Sequence, residues 1–167
     1  MTTLVFKRFF CKIAYPLAAW ILWRVRPDAS ASACAIATNG KLLLIQRSYG
    51  PGMWDLPGGR IGNKETPEET VRREVEEEVG VTLGTVKLFG EHFFLRDDGI
   101  KRGVVHCFYI EVPNENFILK SGEIAAAKWV ALDSIPEFHT QSVDTTLRFL
   151  DPQRPCPPSI SKHITIF

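Results

Sequence analysis

The chain has 167 residues, 45% of them hydrophobic and 23% charged. That suits one globular domain with its own core and excludes a collagenous, coiled-coil or disordered chain. Lysine and arginine number 20 against 19 acidic residues, so the chain lacks the basic footprint of a protein that coats DNA or RNA.

Residues 1–27 stand apart from the rest. Leu4, Val5, Phe6, Phe9, Phe10, Ile13, Leu17, Trp20 and Ile21 recur at helical spacing, with Lys7, Arg8 and Lys12 off the stripe. The uncharged stretch from Ile13 to Trp23 is interrupted by Pro16 and is shorter than the roughly 20 apolar residues a membrane span needs. A cleaved leader fits poorly, because Arg24, Arg26, Pro27 and Asp28 separate the apolar run from the small residues Ala29-Ser30-Ala31. The stripe therefore needs a cover: the domain itself, a second subunit in a homodimer, or a membrane surface met peripherally. Pro27 ends the segment, which sets the expected organisation as 1–27 helical, 28–150 the folded domain and 151–167 a tail.

From there the elements follow in order. Residues 30–38 read as a strand and Asn39-Gly40 as a two-residue hairpin turn. Residues 41–47 read as the return strand, and Trp54-Asp55-Leu56 as a short extended approach to Pro57-Gly58-Gly59. Thr66, Pro67 and Glu69 spell a capping box with proline at the first helical position, and Gly80 is a helix stop. Between them, Val71, Val75 and Val79 form an apolar stripe that can face a sheet. Two strands are expected at 86–95 and 104–112, with Asp97-Asp98-Gly99 as a turn between them, and another at 128–130. Asp133 marks a short helical turn, 140–150 a last helix, and 151–167, with Pro152, Pro155, Pro157 and Pro158, an irregular tail. The expected fold is α/β (α+β), a mixed sheet with helices on its faces.

The chemistry sits on the helix after the glycines. Glu74, Glu77 and Glu78 lie at three- and four-residue steps, which puts the carboxylates on one face. A helix built only for solubility would interleave lysine among them. Clustered carboxylates are hard oxygen ligands, suited to Mg²⁺ with Mn²⁺ as a substitute, and a phosphate-bearing substrate needs that cation to approach them. Cys11, Cys34, Cys107 and Cys156 include no C-x-x-C pair, which leaves no zinc or redox motif. They read as free thiols of a reducing compartment, so a cytoplasmic location is expected.

The stretch GRIGNKETPEETVRREVEEEVGV, Gly59 to Val81, resembles the Nudix box. Gly59, Glu65, Arg73, Glu74, Val75, Glu77, Glu78, Gly80 and Val81 fill its fixed slots. A looser likeness runs from about Ala29 to Glu137 and includes LLLIQRS and WDLPGGR. The resemblance implies an α/β/α sandwich and hydrolysis of a diphosphate linkage in a nucleoside diphosphate joined to another group. It implies metal ligation by Glu74, Glu77, Glu78 and the carbonyl of Gly59, with Glu74 also a candidate general base. It gives Arg73 the task of orienting the carboxylates with Glu65 as partner, and makes Glu123 a second candidate for ligand or base. Arg47, Arg60 and Trp54 are candidates for substrate contact; each arginine can equally be an ordinary surface residue, and Trp54 a core one. No proline falls between Pro67 and Pro113, which argues against the ADP-ribose subgroup and favours a nucleoside triphosphate or nucleotide sugar. The competing reading is a nucleotide sensor with this fold that no longer cleaves, but such proteins tend to lose box glutamates.

Overall fold

The computed structural model describes residues 31–81, 83–95, 101–153 and 164–166. The helical segment expected at 1–27 and the turn expected at 97–99 lie outside the described residues. Among the described residues no helix is long and apolar enough to cross a membrane.

The elements run β1 (Ala31–Thr38), β2 (Lys41–Arg47), β3 (Trp54–Asp55), α1 (Pro67–Val79), β4 (Val86–Leu95), β5 (Lys101–Glu111), β6 (Ile124–Ala131), α2 (Gln141–Leu150) and β7 (Ile164–Ile166). Asn39 and Gly40 both take positive φ, 46° and 78°, the conformation that lets a two-residue turn match the twist of its strands. The sheet has the order β3-β2-β1-β5-β4-β7, and β6 also pairs with β2. It is mixed: β1 runs parallel to β5, while β1–β2, β2–β6 and β4–β5 are antiparallel.

Alternation along β2 divides the core in two, since successive side chains point to opposite faces. Leu43 and Ile45 meet Val71, Val75 and Val79 of α1, together with Ile36, Phe108 and Ile110. Leu42 and Leu44 face the other way and pack with Val105, Cys107, and Val143 and Leu147 of α2. The result is a sandwich with one helix on each face, as the sequence led us to expect.

Three details differ from the sequence reading. Strand β6 begins at Ile124, four residues before the expected start, because Ala126 and Ala127 pair with Gln46 and Ile45 of β2, and Ile124 with Arg47, although alanine offers little strand propensity of its own. No helix forms at Asp133; Ser134 N–H closes a tight turn onto Ala131 C=O at 2.9 Å. The expected irregular tail contributes β7, which pairs antiparallel with β4 through Gly90, Glu91 and His92. Ile164-Thr165-Ile166 is a short β-branched run, and what it needed was an open sheet edge, which composition does not reveal.

Candidate active site

Helix α1 is fixed at both ends. Thr66 Oγ1 accepts from Glu69 N–H, and the Glu69 carboxylate accepts from Thr66 N–H at 2.8 Å. This completes the capping box and holds the Glu69 carboxyl below its usual range. At the far end Gly80 takes φ 63° and returns its N–H to Glu76 C=O. Ile118 N–H and Lys120 N–H then satisfy the Val79 and Glu78 carbonyls, so a passing segment caps the last turn.

The loop ahead of the helix is tied to it by Glu65. Its carboxylate receives Arg73 Nε at 2.7 Å and Nη2 at 3.0 Å, Thr70 Oγ1 at 3.0 Å and Gly62 N–H at 3.1 Å. The Arg73 hydrogen bond is the main reason the Glu65 carboxyl is held down at about 2. From the same guanidinium, Nη1 reaches Glu74 Oε1 at 2.8 Å and Glu77 Oε2 at 3.3 Å. Arg73 thus holds Glu65 as a fork and also reaches two of the three glutamates that the resemblance makes metal ligands.

The three glutamates are not equivalent. Glu78 is 3% exposed, Glu74 is half-buried, and the Glu77 side chain is 59% exposed. Burial pushes the Glu78 carboxyl up to about 7, against the opposing pull of Arg47 and the Gly58 N–H; the Glu74 carboxylate adds to the rise. Burial also raises Glu74, although Arg73 and Arg47 act the other way. Among the described residues no three Asp, Glu, His or Cys side chains converge into a ready-made cage. Instead guanidinium groups stand against these carboxylates, Arg47 on Glu78 and Arg73 on Glu74 and Glu77.

Gly59 lies directly against Glu74. A Cβ there would land on the Glu74 carboxylate, so the turn and the acid share one space. Buried carboxylates beside a side-chain-free turn are hard oxygen donors whose charge burial disfavours, and this suits a divalent cation such as Mg²⁺ or Mn²⁺. Glu74, Glu78 and the Gly59 backbone are the residues that fit it; Glu77 stands further out.

The other expected residues fall as follows. Arg47 donates to Glu78 Oε1 at 2.9 Å and to Gly58 C=O at 2.6 Å. Trp54 is partly buried against the α2-side core, and Lys128 Nζ lies 4.2 Å from its ring centroid, so one ring face is taken by a cation. Trp129 donates its indole N–H to Glu115 C=O at 2.7 Å and packs on the α1-side core, a packing role. Arg60 is partly exposed at the loop. The Glu123 side chain is exposed; its carbonyl accepts from Ser48 N–H at 2.7 Å, which seats it at the Arg47 end of β2.

Sequence reasoning missed Gly58, which takes φ 148° and gives its N–H to Glu78 Oε2 at 3.0 Å. It also missed the frame around β3. Trp54 N–H meets Phe138 C=O, Thr140 N–H meets Trp54 C=O, and Thr140 Oγ1 donates to Asp55 Oδ1 at 2.6 Å. The glycine pair was a usable signal for the first; nothing local announces contacts that join residues so far apart in the chain.

An acid-bearing helix, entered through a glycine turn and laid on one face of a mixed sheet, defines a phosphate-chemistry site of hydrolase type. The comparisons agree. The NUDIX domain model matches residues 26–149, and the chain belongs to the Nudix hydrolase family. It is 30% identical over 136 residues to a MutT-like protein of Streptomyces ambofaciens, across 81% of this chain and 83% of that one. It is 27% identical over 118 residues to the CTP pyrophosphohydrolase of Escherichia coli, across 69% and 84%. The solved MutT NUDIX hydrolase of Burkholderia pseudomallei superposes with a TM-score of 0.66 at 28% identity, over 74% of this chain and 98% of that one. Proteins named NAD-capped RNA hydrolase NudC also match, such as that of Pseudomonas aeruginosa at 29% identity over 69% of this chain, but the match covers 41% of their length.

Proposed function

We propose that this chain is a divalent-metal-dependent pyrophosphohydrolase that cleaves the diphosphate linkage of a nucleoside triphosphate or nucleotide sugar. The observation that carries the reading is the junction of Gly59, Glu74 and Glu78: two inward carboxylates packed on a turn that has no side chain. Mg²⁺, or Mn²⁺ in its place, supplies charge neutralisation of the diphosphate and activation of a water when bound. Glu74, Glu78 and the Gly59 carbonyl are the groups that would hold it, with Glu77 and Glu123 as outer candidates. Glu74 is the candidate to take a proton from the attacking water: it is half-buried, raised in pKa by that burial, and held by Arg73. Arg73 and Glu65 keep the helix and its loop in register, so the carboxylates meet the substrate already oriented. Arg60 at the loop and the partly buried Trp54 are candidates for phosphate and base contact.

The box acids are all present and their arginine partners are engaged, which favours a cleaving enzyme over a nucleotide sensor. Kinship with a CTP pyrophosphohydrolase across most of its length supports the triphosphate reading. The test is a panel of nucleoside triphosphates, nucleotide sugars and NAD-type dinucleotides incubated with purified protein, with products resolved by chromatography. Cleavage between phosphates is expected with Mg²⁺ or Mn²⁺ and none in excess chelator. Turnover that persists in chelator overturns the metal reading; no cleavage of any compound with metal present favours the sensor.

A further inference from the structure

Arg47 closes β2, two residues after Ile45, and so shares the sheet face that carries α1. Its guanidinium is the hub of a three-way junction. Nη1 donates to Glu78 Oε1 at 2.9 Å, and Nη2 donates to Gly58 C=O at 2.6 Å. Gly58 N–H then donates to Glu78 Oε2 at 3.0 Å. One residue is gripped from both sides, by the arginine on its carbonyl oxygen and by the glutamate on its amide nitrogen, so two successive peptide groups are held. Gly58 holds φ 148°, a backbone region that only glycine occupies readily, so these two bonds fix the turn that delivers Gly59. Tyr49 supports the hub from the outside, accepting from Nη1 at 3.2 Å with its ring centroid 6.0 Å from the guanidinium carbon.

We propose that Arg47 is a positioning residue of the metal site: it sets Glu78 and the Gly58–Gly59 turn at a fixed separation before a cation arrives. The inference rests on the reading that Glu78 and Gly59 ligate a divalent cation. It departs from a phosphate-contact role for Arg47. The guanidinium is largely enclosed, and moving it onto a substrate would strip a buried carboxylate of its counter-ion. It also needs arginine in particular. A planar fork reaches a carboxylate oxygen and a carbonyl in different directions at once, whereas an ammonium is a point donor on a flexible stem. Metal ligands of proteins are commonly aimed by such outer partners, whose loss typically weakens metal binding about 10- to 100-fold.

The test is Mn²⁺ affinity of metal-stripped protein without nucleotide, read from the electron paramagnetic resonance signal of free Mn²⁺. Wild type, Arg47→Lys and Glu78→Gln are compared, with thermal unfolding recorded for each. Arg47→Lys keeps a positive charge beside Glu78 and is expected to retain a cooperative unfolding transition while its Mn²⁺ Kd rises about 10- to 100-fold. Folded Arg47→Lys with a Kd near the wild-type value overturns the proposal, because a merely structural role moves the melting temperature and not the affinity of folded molecules. If the lysine variant does not fold, Arg47→Gln is measured in its place by the same criterion. Glu78→Gln separates the two readings: wild type that binds no Mn²⁺, or Glu78→Gln that binds it equally well, removes the metal assignment and this inference with it.

Discussion

Replacing Gly59 with alanine is the most direct probe of the Gly59–Glu74 junction. An added Cβ would stand 2.5 Å from the Glu74 Cδ and 2.8 Å from its Oε2. Ordinary contact begins at 3.4 Å, so the carboxylate or the turn must retreat by about 1 Å. The three nearest neighbours of that Cβ all belong to the Glu74 carboxylate, and Gly59 does not require positive φ. The strain is therefore confined to one side chain, and overpacking of this kind costs about 1–3 kcal/mol at most sites. A flexible glutamate that swings outward will bring the cost toward the lower end. Catalysis is less forgiving, since a displacement of about 1 Å of a reacting group can cost about 100-fold. The expected outcome is a folded Gly59→Ala protein with a urea midpoint close to wild type and kcat lower by about two orders of magnitude on its best nucleotide. Unchanged turnover in a folded Gly59→Ala protein would refute the argument that Glu74 and the Gly59 turn act as one unit.

Two further outcomes follow from burial. Glu78 titrates near 7 in the metal-free fold, well above the roughly 4.3 of an unfolded glutamate. The folded state therefore binds the proton more tightly, and its contribution is greatest below that lower value and lost as pH rises through about 7. Melting temperatures in chelator should fall between pH 5 and 8 for wild type and fall less for Glu78→Gln; parallel profiles would show that Glu78 is not the group responsible. Val71 is fully buried on the core-facing side of α1, so Val71→Thr should lose about 1–3 kcal/mol in urea denaturation through its buried hydroxyl, with turnover per folded molecule within twofold of wild type.

The legible part of this molecule was the part whose determinants are close in sequence. Thr66, Pro67, Glu69 and Gly80 announce both ends of α1 because capping is a local reaction between a side chain and the first or last turn. Asn39-Gly40 announces its hairpin for the same reason. The Arg73–Glu65 pair, eight residues apart across a loop and helix, came from the family pattern and not from spacing alone. What stayed hidden depends on partners far along the chain. The alanines 125–127 become strand only because β2 offers an edge, and Ile164–Ile166 only because β4 does. Equally, the helical spacing put Glu74, Glu77 and Glu78 on one face but could not show that the loop buries two of them and leaves the third in water.

Helix α1 also runs against its own macrodipole. Glu68 and Glu69 sit where negative charge is welcome, at the amino end, but the last turn carries Glu76, Glu77 and Glu78 and no basic residue. Carboxylates at a carboxyl end repel the partial negative charge of its carbonyls. Lys120 answers Glu76 from another segment and Arg47 answers Glu78 from the sheet. The usual engineering remedy, lysine or arginine in the final turn, would therefore either remove an acid proposed to bind the cation, at Glu77 or Glu78, or break the Glu76–Lys120 pair. Thermostability in this chain has to be gained away from the end of α1, for instance at the exposed Leu88.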